Sequence, residues 1–171
     1  MKNGRLVLLV GPSGAGKDTV LAYAKTHLAD YPGCVFVRRV ITRPPGPDEE
    51  HEPISLAEFK QRRFALSWSA HGLHYGIPLT IEADLAAGKT VIANVSRAVI
   101  PQARDAYNCL VIEVTAPVEV LARRLARRNR ETEADIAERL VRATMPIAAD
   151  KTIINDGLPE AAGAMFLAAL S

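Results

Sequence analysis

The sequence predicts a three-layer α/β fold around a central parallel sheet. Two observations carry that expectation. Short apolar runs, several of them β-branched and without polar alternation, recur along the chain. Such strands are buried on both faces, as in a parallel sheet covered by helices. Stretches with helical periodicity lie between them, and β alternating with α at these lengths builds layers of helix on sheet. The 171 residues suit one domain, 1–171, with a core of its own.

The first strand is placed at Arg5–Val10, "RLVLLV". It is far too short to span a membrane. It runs into glycines instead of a small-residue cleavage site, so it reads as a buried strand and not as a signal peptide. A helix is expected over Lys17–Ala29. Further strands are expected at Val35–Ile41, Thr90–Val95, Leu110–Thr115 and Thr152–Ile154. Further helices are expected at Arg97–Tyr107, Val118–Arg128, Ala134–Thr144 and Pro159–Leu170. Pro117 and Pro159 stand where a helix start tolerates proline. Two segments break the rhythm. Residues 43–83 open with "RPPGPDEEHEP" and continue through "FALSWSAHGLHYGIP", an insertion on the ligand side of the sheet. Residues 123–142, "RRLARRNRETEADIAERLVR", are helical and dense in arginine. There is no internal repeat and no long linker.

Composition excludes several classes. Net charge is +2, so nothing global points to nucleic acid. Cys34 and Cys109, the two cysteines, sit in apolar runs and read as buried thiols of a reducing compartment, not as a disulfide scaffold or zinc site. The expectation is a cytoplasmic protein acting on a small molecule, away from membranes, with its oligomeric state open.

The stretch "GPSGAGKDT" carries the chemistry. It matches G-x-x-x-x-G-K from Gly11 to Lys17, after an apolar strand and before an amphipathic helix, which is the context such a loop requires. Gly11, Pro12, Ser13, Gly14, Ala15 and Gly16 form a loop whose backbone N–H groups, all but the one Pro12 lacks, turn toward phosphate oxygens at the positive end of the following helix. Lys17 reaches the β- and γ-phosphates, and Thr19 offers a hydroxyl to the α-phosphate. The next position is unusual. A hydroxyl that ligates Mg²⁺ is expected there, and the chain has Asp18. A carboxylate is also a hard oxygen ligand, so Asp18 is the candidate metal residue; the plainer alternative is a first-turn helix charge. Asn94, in "TVIANVSR", stands where such enzymes often carry a metal-facing Asp, so the missing carboxylate is supplied at Asp18 in this reading.

From "GPSGAGKDT" onward the chain resembles the guanylate kinase family over nearly its whole length. The run "EVLARRLARRNRETEADIAERL" is similar to that family's lid and "ADKTIINDG" to its adenine-side loop. The resemblance puts substrate-phosphate contacts on Arg43 and Tyr75. It leaves no second phosphate arginine, because Gly46 stands there. The glutamate and serine that read guanine fall on Leu66 and Ile77, which cannot hydrogen-bond a purine edge. Four signatures in order, "GPSGAGKD", "RRVITRP", "LSWSAHGLHYG" and "NVSRAVIPQAR", are similar to the ribose 1,5-bisphosphate phosphokinases of the carbon–phosphorus lyase pathway, a branch of that family.

The resemblance implies a P-loop kinase fold with an acceptor-binding insertion (43–83) and an arginine-rich helical lid (123–142). It implies phosphoryl transfer from ATP, with Mg²⁺, to ribose 1,5-bisphosphate, giving ADP and 5-phosphoribosyl 1-diphosphate. Alternatives are a guanylate or other nucleoside monophosphate kinase, and a non-catalytic binding module; such modules usually lose the lysine loop or the lid arginines. Arg124, Arg128 and Arg139 are the implied phosphate clamps beside Lys17, and Arg123, Arg127 and Arg142 read as a solvated face. Arg97, just after an expected strand end where open α/β sheets bind ligands, is a candidate phosphate ligand; Asn94 and Ser96 are candidates for bonding sugar hydroxyls or metal water. His51 and His71 are expected to contact sugar or phosphate; with His74 their spacing is too irregular for a metal site. Trp68 reads as wall packing. Asn155 faces the adenine by analogy, or caps a turn.

Overall fold

The computed structural model describes residues 3–128 and 132–171. Along the chain run β1 (Arg5–Val10), α1 (Lys17–His27), β2 (Cys34–Phe36), β3 (Val40–Ile41), β4 (Glu52–Pro53), α2 (Leu56–Gln61), β5 (Phe64–Ala70), β6 (Leu73–Pro78), α3 (Ile81–Ala86) and β7 (Thr90–Asn94). After a 3-10 turn at Arg97–Val99 come α4 (Ile100–Ala106), β8 (Cys109–Thr115), α5 (Val118–Arg128), α6 (Glu133–Ala143), β9 (Lys151–Ile154) and α7 (Pro159–Ala169). The central sheet has five strands in the order β2-β7-β1-β8-β9, with β2 parallel to β7 and β8 parallel to β9. Leu6 to Val10 are completely buried, as strands covered on both faces must be.

The chain forms two compact units, Met1–Leu8 with Tyr31–Leu110 and Leu9–Asp30 with Val111–Ser171. In the second, α1 packs on α7 so closely that the Tyr23 ring lies 2.4 Å from where a Cβ on Gly163 would stand. Phe166 of α7 and Leu121 and Leu125 of α5 are almost completely buried, each contributing about 1.5–3 kcal/mol through removal from water.

The first unit holds a second sheet of four strands, β4-β3-β6-β5. The β5–β6 hairpin is its main element, closed by His71 (φ 53°) and Gly72 (φ 74°). Positive φ at both positions is the pattern of a type I′ turn, whose twist matches the strands. Trp68 and Tyr75 face each other across this hairpin and stack at 5.2 Å with 4° between planes.

Three expectations need correction. Val35–Ile41 is two strands in different sheets, because β2 pairs with β7 and β3 pairs with β4 and β6; an apolar run does not record where a chain changes sheet. The helix expected from Arg97 begins as a 3-10 turn and becomes α at Ile100, since Pro101 has no N–H to bond back to residue 97. The segment 43–83 carries two helices and a hairpin that periodicity did not separate. One signal was present: Ser55 and Glu58 form a reciprocal capping box at the start of α2. Cys34 and Cys109 are not joined in a disulfide and are half-buried; burial pushes the Cys34 thiol up. No described helix is long and apolar enough to cross a membrane.

Candidate functional site

The loop between β1 and α1 is shaped by backbone demands. Gly11 has φ 146°, and a Cβ there would lie 1.9 Å from the Val114 carbonyl oxygen. Gly16 caps α1 in the left-handed region, φ 93°, with no side-chain cap; a Cβ there would lie 2.4 Å from Asn155 Nδ2. Only glycine meets both the conformation and the space. The N-terminal N–H groups of α1 are therefore uncapped by any side chain of Gly16 and point into the loop. Lys17 Nζ donates to the Gly11 carbonyl at 2.8 Å, which keeps its ammonium at the loop. Asp18 and Thr19 are exposed in the first turn.

Two residues hold this loop from outside it. Asn155, 6% exposed, donates from Nδ2 to the Ala15 carbonyl at 2.8 Å. Arg124, half-buried, donates from Nη1 to the Gly14 carbonyl at 3.0 Å and from Nη2 to the Asn155 carbonyl at 2.8 Å. One guanidinium thus ties α5, the phosphate loop and the segment after β9. Arg139 of α6 donates to Ser13 Oγ at 2.6 Å. A cleft of about 310 Å³ opens here, lined by Gly14, Gly16, Thr19, Arg127, Arg128 and Asn155 among others. Arg128, in the last turn of α5, is exposed. Arg127, assigned above to a solvated face, lines the same cleft. Residues 129–131 of the segment 123–142 lie outside the described residues.

In the first unit, Arg43 is half-buried and its Nη1 donates to Glu49 Oε2 and to the Pro44 carbonyl. The guanidinium beside Glu49 holds that carboxyl below the usual range, chiefly through this hydrogen bond. His51, expected as a ligand contact, is 7% exposed and engaged on both ring nitrogens. Nε2 lies 2.8 Å from the Arg43 carbonyl and Nδ1 lies 3.2 Å from Glu49 Oε2. His71 is exposed at the hairpin tip. His74 Nδ1 is 3.0 Å from Ser69 Oγ. Tyr75 and Trp68 are both half-buried and stack on each other. Asn94 ends β7, and Ser96 Oγ accepts from the Ala98 N–H at 3.2 Å to start the turn that carries Arg97. Among the described residues, no three His, Cys, Asp or Glu side chains come together as a metal site.

No family model matches the chain. Curated relatives do. The ribose 1,5-bisphosphate phosphokinase of Acidiphilium cryptum is 59% identical over 99% of this chain and 93% of its own length. That of Methylobacterium radiotolerans is 47% identical over 98% of this chain and 97% of its own. The chain belongs to the ribose 1,5-bisphosphate phosphokinase family. Among solved structures, guanylate kinase from Anaplasma phagocytophilum superposes with a TM-score of 0.66 at 18% identity, covering 98% of this chain and 85% of that one. That likeness shows the shared fold.

In this phosphokinase, Leu66 and Ile77 are directly paired across β5 and β6, and both are 0% exposed. The two positions that the resemblance aligned with a guanine reader are a closed apolar pair. The sequence reading put Arg127 on a solvated face and did not single out Glu49; the structure places the first at the cleft and pairs the second with Arg43. An arginine four residues after Arg123 on a helix was a weak signal for the first. For Glu49 the signal was the turn "GPDE", whose Glu49 N–H donates to the Gly46 carbonyl at 3.2 Å with proline at its second position.

Proposed function

We propose that the protein transfers the γ-phosphoryl group of ATP to the C1 phosphate of ribose 1,5-bisphosphate, giving ADP and 5-phosphoribosyl 1-diphosphate, in the cytoplasm and as a step of phosphonate catabolism. The observation that carries the reading is family membership over essentially the full chain, joined to an intact glycine–lysine loop. An oxygen of the C1 phosphate attacks the γ-phosphorus, and the bond from that phosphorus to the bridging oxygen of ADP breaks. A phosphate monoester has a second pKa near ~6, so the nucleophile is already anionic and needs no general base. Catalysis then consists of positioning and positive charge.

The geometry supports the following assignment of roles. Loop N–H groups and Lys17 take the β- and γ-phosphates. Arg128, at the cleft, and Arg139, beside Ser13, stabilise charge on the transferred group, with Arg127 a further candidate. Arg124 is spent on backbone carbonyls, so its part is to brace the loop; Asn155 has the same part instead of an adenine contact. Arg43 and Tyr75 hold acceptor phosphate, and Asn94, Ser96, Arg97 and His71 are candidates for the sugar. Mg²⁺ prefers one or two carboxylates with substrate phosphates and water, not an all-protein cage. One exposed carboxylate at the loop, Asp18, fits that donor set. When bound with ATP, the ion supplies neutralisation of the phosphate charge.

The test is a product assay with ATP, Mg²⁺ and either ribose 1,5-bisphosphate or GMP, read by phosphorus NMR. New diphosphate resonances from the sugar, well above turnover of GMP, are expected. Efficient phosphorylation of GMP with an inert sugar bisphosphate overturns the reading.

A further inference from the structure

The loop joining β3 to β4 contains two side chains beside Arg43, Glu49 and His51, that the assigned roles do not use. Its base is fixed: the Glu52 N–H donates to the Arg39 carbonyl at 2.9 Å, and Arg38 Nε donates to the Glu50 carbonyl at 2.7 Å. Within it, one oxygen of Glu49, Oε2, accepts from Arg43 Nη1, and His51 Nδ1 lies 3.2 Å from the same oxygen. The imidazole is buried and its other nitrogen reaches the Arg43 backbone carbonyl at 2.8 Å. So His51 is anchored to the chain at Arg43 and lies against the carboxylate, and the carboxylate fixes the guanidinium.

Which part of Arg43 is used decides what the arrangement does. Both of its hydrogen bonds leave from Nη1, to Glu49 and to the Pro44 carbonyl. Among the described residues, Nε and Nη2 make none. Those two N–H groups form the side edge of the fork, which matches two oxygens of one phosphate. A carboxylate that blocked the anion site would cover that edge; Glu49 takes the other corner. Glu49 also lies over Gly46, where a Cβ would stand 3.4 Å from its Oε1. The position where the resemblance lacks a second phosphate arginine thus adjoins a carboxylate that orients the first.

We propose that Glu49 is a positioning residue for the acceptor: backed by buried His51, it pins one corner of the Arg43 guanidinium so that the Nε–Nη2 edge receives a phosphate of the sugar. This rests on the function proposed above, and the experiment separates the two. Steady-state kinetics with ATP and ribose 1,5-bisphosphate are compared for the wild type, Glu49→Gln, Arg43→Ala and the double variant. Turnover by the wild type decides the proposed function; the ratios decide the inference. Glu49→Gln is expected to raise the KM for the sugar about tenfold, with kcat and the KM for ATP each within about twofold. In the Arg43→Ala background the same change is expected to add less than about twofold, because it acts through the arginine. Damage to the fold would instead move all three constants and the melting temperature. An unchanged sugar KM overturns the inference, a lowered one makes Glu49 a competitor of the acceptor, and an undiminished effect without Arg43 removes the mechanism. Should Glu49→Gln not fold, Glu49→Asp carries the test, with an intermediate KM expected and a wild-type KM overturning it.

Discussion

The nucleotide-side loop and the acceptor-side loop are both anion sites in the proposed reading, yet they are built by different means. The first is a backbone structure. Its glycines take conformations and close approaches that only glycine allows, and Arg124 and Asn155 grip its carbonyls. The second is a side-chain structure, in which Arg43 is paired with Glu49 and buried His51 lies against that carboxylate. A backbone cradle binds any phosphate chain of the right length, so it suits a donor used throughout metabolism. A side-chain site can be retuned one residue at a time. Within one fold, that is where acceptor preference can change while the donor side stays as it is.

The largest effect should come from Arg128, which lies at the cleft and is not consumed in holding the loop. Arg128→Ala is expected to lower kcat about 10²–10³-fold, the usual loss for one donor aimed at transition-state charge, with the KM for ATP moving little. An unchanged kcat would return Arg128 to a solvated helix face. The comparison then sharpens at Asn155. Asn155→Ala removes the donor that holds the Ala15 carbonyl and should raise the KM for ATP about tenfold, near 1.4 kcal/mol. Because the brace belongs to the donor loop alone, the KM for the sugar should stay where it was. If both constants rise together, the two loops are not independent and the comparison fails.

Legibility in the sequence followed the same division. The phosphate loop could be read because its chemistry is local: three glycines and a lysine at fixed spacing, between an apolar strand and a helix. The central sheet could be read for a similar reason, since Leu6 to Val10 are apolar on both faces. The acceptor region could not, because it depends on strand register. That Leu66 lies opposite Ile77, or that Trp68 stacks on Tyr75, follows from a hairpin whose turn residues are His71 and Gly72. A histidine at positive φ is not the residue that announces such a turn. Likewise the burial of His51 depends on how the loop that carries it folds, which local sequence does not record.

Asp18 tests the comparison most finely, since it is the one side chain of the donor loop whose identity departs from the usual pattern. It sits in the first turn of α1 and is exposed. As a helix charge alone it is worth about 0.3–1 kcal/mol, and Asp18→Asn would then cost that much stability and little activity. As a metal-facing group in the proposed reading, it should act on the Mg²⁺ dependence. Asp18→Asn keeps the size and one oxygen but removes the charge, so the Mg²⁺ concentration for half-maximal rate should rise roughly three- to tenfold, or about 0.7–1.4 kcal/mol, with the melting temperature nearly unchanged. Asp18→Ser restores the hydroxyl of the ordinary loop but no carboxylate, and Asn94 supplies none either. Ser alone should therefore recover only part of the loss, and adding Asn94→Asp should recover more. A Mg²⁺ titration that does not shift in Asp18→Asn leaves the carboxylate as a helix-start residue, and the donor loop is then a backbone structure throughout.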